Sequence, residues 1–365
     1  MIRTRTGKVT SIKNRQQGIT EVEVEVDGMV AQAVNYDELT GPVQPGDRVL
    51  LNTTAVMQKL GTGGNHFVMA NMSRPEKDAR EAGHIMKMRY SPSQVKVLSV
   101  EEQESPHAQI MSRAESLHAT PVIVGTLHSM LAPAAASVFG ITKGKAKVAY
   151  IMTDGAALPL PLSKLVQELK DKGLIHTTIT CGHAFGGDIE AVTVYSALLA
   201  AKAVAGADIV IVAMGPGIVG TGSKFGFTGV EQGEIINAVN ILNGRAVAIP
   251  RISFADKRER HRGLSHHTRT ALGKVALCPC TVPLPPLEGE KGKMVWRQLQ
   301  EAGIASIHQV VEMEDSPGLM VLKEKDINVK TMGRSVNDDP EFFRAAAAAG
   351  AYACRLLSAE AGDLV

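Results

Sequence analysis

Two kinds of hydrophobic patterning divide the chain. Between residue 6 and about residue 72 apolar and charged positions alternate: Val22, Val24 and Val26 interleave with Glu21, Glu23 and Glu25, so one face of the strand is core and the other is wet. Asp27-Gly28 is a tight-hairpin dipeptide leading into a second strand at Met29 to Val34, and Pro45-Gly46-Asp47 turns the chain before another at Arg48 to Thr54. About five short strands of this kind predict a small antiparallel β-barrel-like domain over residues 1–72. Residues 73–118 carry Pro, Ser, His and mixed charges, with a strand expected at Gln94 to Val100 and a short helix at Glu101 to Leu117, and read as a connector.

From Pro121 the pattern becomes apolar runs of five to seven residues alternating with helical segments, the form of β-α-β units. Strands are expected at 121–125, 146–152, 175–180, 208–214, 245–253, 274–278 and 307–313; their β-branched, nearly uninterrupted apolar content fits strands covered on both faces. Helices are expected at Ser163 to Lys172, Ile189 to Ala205, Val230 to Leu242, Met294 to Ala302 and Glu341 to Ala359, with Asp188 as the N-cap of the second and Gly206 its stop. The predicted fold class is α/β, a mostly parallel open sheet with helices on both faces over 119–365, plus the N-terminal barrel.

Composition narrows the classes. The chain is 44% hydrophobic and 21% charged, and 39 Lys plus Arg against 37 Asp plus Glu leave a net charge of +2, which gives no global attraction to nucleic acid or to a membrane. Nucleic acid is further disfavoured because the β unit offers only Tyr36 and Phe67 as stacking side chains. The basic N-terminus lacks a signal peptide's apolar core and no window approaches the roughly 18 apolar residues of a membrane span, so a cytoplasmic protein is expected. Cys181, Cys278, Cys280 and Cys354 are read as reduced thiols; Cys278-Pro279-Cys280 lacks the second cysteine pair of a metal site.

Ligands of open parallel sheets bind beyond the carboxyl ends of the strands. Five successive expected ends are polar or glycine-rich: Gly125-Thr126-Leu127-His128-Ser129, Thr153-Asp154-Gly155, Cys181-Gly182-His183 with Phe185-Gly186-Gly187-Asp188 behind it, the loop from Gly215 to Gly229, and Phe254-Ala255-Asp256 with the basic run Lys257 to Arg269. Gly215-Pro216-Gly217-Ile218-Val219-Gly220 has the GxGxxG spacing, but the glycine loop continues to Gly229 and no ribose-binding acid closes the next strand, which argues against a dinucleotide site. The alternative is a nest of backbone N–H groups for an anion, drawn from Gly217, Gly220 and Gly222 with Thr221, Ser223 and Lys224 as further donors. A tightly packed loop or a subunit contact would use the same glycines.

Arg258 and Arg262, in the densest basic cluster of the chain, are suited to oxyanions, with His261, His266 and His267 interleaved among the arginines. A solvated loop is the plain explanation of such a run, and internal pairing with Asp256 or Glu259 is another. Asp154, His183, Asp188, Asp256, His266 and His267 can supply an acid–base pair or a metal site, yet their spacing matches no metal or nucleophile motif, so metal and cofactor stay unassigned. His183 and His266 are the candidate general bases, Asp154 and Asp256 the carboxylates that would orient them, and Gly186, Gly187, Asp188 and His267 complete the expected ligand shell.

The segments TCGHAFGGDIEAV, MGPGIVGTGSKFGFTGVEQG and RISFADKRERHRGLSHHT together resemble an uncharacterised family of bacterial proteins described only as a domain of unknown function, and the likeness covers most of the chain. The resemblance implies a bacterial cytosolic protein and brings no reaction with it. From the residues alone, the expectation is a small anionic or phosphorylated metabolite bound at the carboxyl edge, with hydrolase, transferase or lyase chemistry open. The competing expectation is a ligand-sensing or homo-oligomeric assembly protein in which the same loops bind without turnover.

Overall fold

The structure, a computed structural model, describes residues 2–61, 63–79 and 82–362. The chain forms two compact units, Met1–Val97 and Leu98–Val365. In the first, β1 (Thr4–Gln16), β2 (Ile19–Val26), β3 (Met29–Tyr36), β4 (Arg48–Asn52) and β5 (His66–Asn71) close a barrel in the order β1-β2-β3-β5-β4. Asp27 and Gly28 both take positive φ, as a tight hairpin between twisted strands requires. The inward positions of the alternation, including Val9, Val22, Val24, Val49 and Leu51, fill its core. The closing pair β3–β5 is parallel, so the barrel is not purely antiparallel. A short hairpin, β6 (Ile85–Lys87) with β7 (Val95–Val97), completes this unit.

The second unit is an eight-stranded sheet. Its members are β8 (Pro121–Val124), β9 (Val148–Thr153), β10 (Thr177–Thr180), β11 (Ile189–Glu190), β12 (Ile209–Met214), β13 (Arg245–Ala248), β16 (Thr281–Leu284) and β17 (Gln309–Glu312). All pairings are parallel, in the order β11-β10-β9-β12-β8-β13-β16-β17. Between β13 and β16 a two-stranded hairpin, β14 (Ile252–Ser253) with β15 (Gly263–Leu264), brackets the basic run. Strand residues alternate between two cores: Val122, Val124, Val210 and Val212 face one, Ile123, Ile209 and Ile211 the other. Helices Val194–Ala203 and Glu231–Ile241 pack on the first; Leu131–Thr142 and most of the buried face of Pro340–Gly362 pack on the second.

The chain leaves β8 toward β9 on one side and leaves β12 toward β13 on the other, so the order reverses at the β12–β8 pair. In open parallel sheets such a reversal, at the carboxyl ends of the strands, is where ligands bind. Buried Gln232 donates to Val124 O at 2.7 Å and Ile249 O at 3.0 Å, tying the start of helix Glu231–Ile241 to the carboxyl ends of β8 and β13.

Several expected elements move. The helix at 131–142 was not expected, because Leu131 to Val138 are buried all round and leave no polar face to set a period. The helix expected from Ile189 begins at Val194 with a Thr193 capping box; Ile189–Glu190 is instead the edge strand β11. The run 245–253 is two strands interrupted by Ile249 to Arg251. Residues 271–275 form a π-helical turn, and the strand expected at 274–278 lies at Thr281–Leu284. Of the helix expected at 101–117 only Ala108–Met111 is α-helical. Among the described residues no helix is long and apolar enough to cross a membrane.

Candidate functional site

The carboxyl edge carries two groups of polar side chains joined by one loop. The first stands over β9 and β10. Asp154 accepts the backbone N–H of His183 at 2.9 Å. Gly182 has φ +65°, and a Cβ there would lie 2.3 Å from Asp154 Oδ2, so the close approach of that carboxylate requires glycine. Thr153 Oγ1 donates to Glu231 Oε1 at 2.7 Å. Burial pushes the Glu231 carboxyl up to about 7, with the charges of Asp154 and Glu234 adding to the rise and the Thr153 hydrogen bond opposing it. A carboxyl poised near neutrality beside an exposed carboxylate has the character of an acid–base group.

The second group stands beyond β13. Arg251 is 2% exposed and donates through one terminal nitrogen to His267 Nδ1 at 3.2 Å and through the other to Asp256 Oδ2 at 3.5 Å. Asp256 also accepts Arg258 Nε at 2.9 Å and Nη2 at 2.8 Å, and Arg334 lies 3.5 Å from it. Arg334 pairs in turn with Asp339 at 2.9 Å. Three guanidiniums therefore face two carboxylates, an excess of positive charge in a mostly buried setting. Burial pushes the Asp256 carboxyl up, but the hydrogen bonds and charge of Arg258 outweigh it and hold the group ionised far below the usual range.

His261, His266 and His267 close this group. Their ring centroids lie 4.9, 4.9 and 4.4 Å apart, and Phe227 stacks on His267 at 3.9 Å. Ser265 caps the short helix His266–Thr270 and its hydroxyl holds His261 Nδ1 at 2.7 Å. Burial, then the charges of Arg251 and its neighbours, lower all three imidazoles, His261 to about 3 and His267 to about 2, so the rings are neutral at physiological pH.

The glycine loop connects the two groups. Thr221 N–H donates to Gly226 O at 2.8 Å and Gly220 bridges to Phe227, making a small exposed hairpin rather than a helix start, a shape unlike a dinucleotide loop. A Cβ on Gly220 would lie 3.4 Å from His267 Nε2, and eleven residues later the same chain segment delivers Glu231 to Thr153.

Several expected roles are corrected. Asp256 accepts from arginines and has no hydrogen bond to an imidazole among the described residues; Asp154 accepts the backbone N–H of His183. Asp188 is neither cap nor free carboxylate: it pairs with Lys170 and accepts Thr178 N–H and Oγ1, each at 2.8 Å. The N–H groups of Gly186 and Gly187 are already taken, by Glu190 Oε1 at 2.6 Å and Thr180 Oγ1 at 3.1 Å. Ser223 Oγ is spent inside the hairpin on Gly226 N–H and Thr221 Oγ1. Gly217, Gly222, Lys224 and Arg262 are exposed. Four inter-strand spacings, about 19 Å, separate β10 from β13, so His183 and His266, the two candidate general bases, belong to different groups of the edge.

Glu231, Arg251 and His261 were missed as site residues. A signal existed for Arg251, a cation inside an apolar run, and for His261, whose spacing to His266 and His267 places it on the same short hairpin and helix. Nothing local marks Glu231, since its neighbours Thr153 and Asp154 are far away in sequence. A shallow cavity of about 420 Å³, lined by Gln109, Ile110, Arg113, Ala114, His118 and Ala203, lies toward the amino edge and away from all of this chemistry.

Residues 32–350 match the model of a family described as Protein of unknown function (DUF3866), and the chain belongs to that family. No curated protein matches the chain.

Proposed function

We propose that the protein binds a small oxyanion, the phosphate or carboxylate end of a metabolite, at the carboxyl edge of its parallel sheet. The observation that carries this reading is Arg251 Nε: a buried guanidinium N–H with no hydrogen-bond partner among the described residues, in a group where guanidiniums outnumber carboxylates. An unpaired buried donor costs about 1–3 kcal/mol, and an arriving oxyanion removes that cost. Arg258 adds charge at the rim, and Gly220, beside His267, brings exposed backbone of the glycine loop to the same group. The near-neutral carboxyl of Glu231, at the same sheet edge, is the group suited to moving a proton, which favours chemistry over simple sensing.

Melting curves in inorganic phosphate, pyrophosphate and small carboxylates test this. Saturation to 100 times Kd adds about 2.7 kcal/mol, or roughly 5 °C for a unit of this size. The rise is expected to vanish in Arg251→Gln and to persist in Lys224→Ala. A rise of equal size in Arg251→Gln would refute the assignment.

A further inference from the structure

The three imidazoles do more than line an anion site. We propose that His261, His266 and His267 form a three-nitrogen centre for a divalent transition metal, zinc or a close analogue.

One ligand nitrogen from each ring lies within 4.8 Å of the other two. Tetrahedral coordination at about 2.0–2.1 Å sets nitrogens about 3.3 Å apart, so each has to move inward by under about 1 Å. Side-chain torsions supply such a shift without moving the helix. His261 Nδ1 is held by Ser265, leaving Nε2 for the metal, and the Ser265 hydroxyl fixes the orientation of that ring. His266 Nε2 is buried with no partner among the described residues. An all-imidazole set excludes the oxygen-preferring ions calcium and magnesium.

The adjacent guanidiniums decide what completes the coordination. Arg251 donates to His267 Nδ1 at 3.2 Å, which places that ring's proton on Nε2. Whether the metal takes Nδ1 or the proton shifts to free Nε2, this hydrogen bond is lost and Arg251 becomes available. Three neutral ligands leave the ion's full charge beside Arg251 and Arg258, so the open fourth position takes an anion, hydroxide or the oxyanion of the previous section. Phe227 stacked on His267 walls the site from solvent on one side. The metal site rests on its own residues; it deepens the oxyanion reading by making that anion a metal ligand.

The test is titration of the full-length chelator-stripped protein with Co2+, followed by visible absorption, and with Zn2+ in competition. One Co2+ per chain with an intense tetrahedral band, displaced by one Zn2+, is the expected result. His261→Ala and His267→Ala should abolish the band, while Ser265→Ala should weaken binding by roughly 10–100-fold; His183→Ala and His308→Ala should leave it unchanged. His266→Ala, at the least buried of the three, covers the case in which the buried variants fail to fold, as judged by their melting curves. Absence of stoichiometric Co2+ and Zn2+ binding by the wild type, or an unaltered band in folded His266→Ala, overturns the proposal. Phosphate stabilisation of the metal-free protein that depends on Arg251 would uphold the oxyanion site even then, so the two readings fail separately.

Discussion

Glu231→Gln isolates a carboxyl whose environment opposes its charge. Gln keeps the oxygen that accepts the Thr153 hydroxyl at 2.7 Å and removes the ionisation. The folded wild type holds the proton until about 7, whereas the unfolded chain releases it near 4.5. The sign follows: the group's contribution is fully present below 4.5 and is lost as pH rises through about 7. That interval, at about 1.4 kcal/mol per pH unit, amounts to about 3 kcal/mol. Urea unfolding of wild type and variant from pH 4 to pH 8.5 reads it as a difference, in which every other titrating group cancels. The variant should match the wild type near pH 4.5 and exceed it by up to about 3 kcal/mol at pH 8, with any turnover lost if Glu231 moves a proton. A stability difference independent of pH would refute the placement of Glu231 in a desolvated site beside Asp154.

Other substitutions probe the supports of the site. Ser163→Ala removes both the cap on the Val166 N–H and the 2.6 Å partner of half-buried His128 Nε2, and should cost about 1–3 kcal/mol in chemical denaturation. Burial lowers His128 to about 4, so in the wild type its contribution is lost as pH falls from 6.5 toward 4; His128→Gln should flatten that part of the stability profile. Asp256→Asn leaves Arg251 and Arg258 without their shared carboxylate and should destabilise by about 3–5 kcal/mol, with a smaller loss at high salt if the repulsion is screened. A Cβ on Gly233 would lie 2.6 Å from Ala271 O and 2.7 Å from Ala276 N, where the helix beneath the site meets the π-helical turn behind the histidines. Gly233→Ala should therefore lower the melting temperature and perturb the imidazole NMR signals together.

The sequence was most readable where a local rule acts alone. Alternation of Val22, Val24 and Val26 with glutamates, turned by Asp27-Gly28, specifies the hairpin of the barrel. The β-branched runs 121–124 and 209–214 specify central strands of the parallel sheet. Reading failed where tertiary packing overrides local pattern: Leu131–Thr142 is helical but buried on all sides, and Ile189–Glu190 joins the sheet edge because β10 offers a parallel partner. For the site, the carboxyl edge was legible from glycines and charges at successive strand ends, since strand direction dictates which loops share an edge. Pair identities were not, because Thr153–Glu231 and Arg251–His267 depend on strand order and on how the hairpin β14–β15 folds back.

Arg251 is the proposed anchor of the bound oxyanion. A crystal structure of the protein grown with tungstate, a heavy tetrahedral oxyanion located by its anomalous signal, asks this directly. The predicted result is one ordered site with an oxygen about 2.7–3.1 Å from Arg251 Nε, flanked by Arg258 and the histidine cluster. Tungstate ordered elsewhere on the sheet edge, with Arg251 Nε still unpaired, would contradict it.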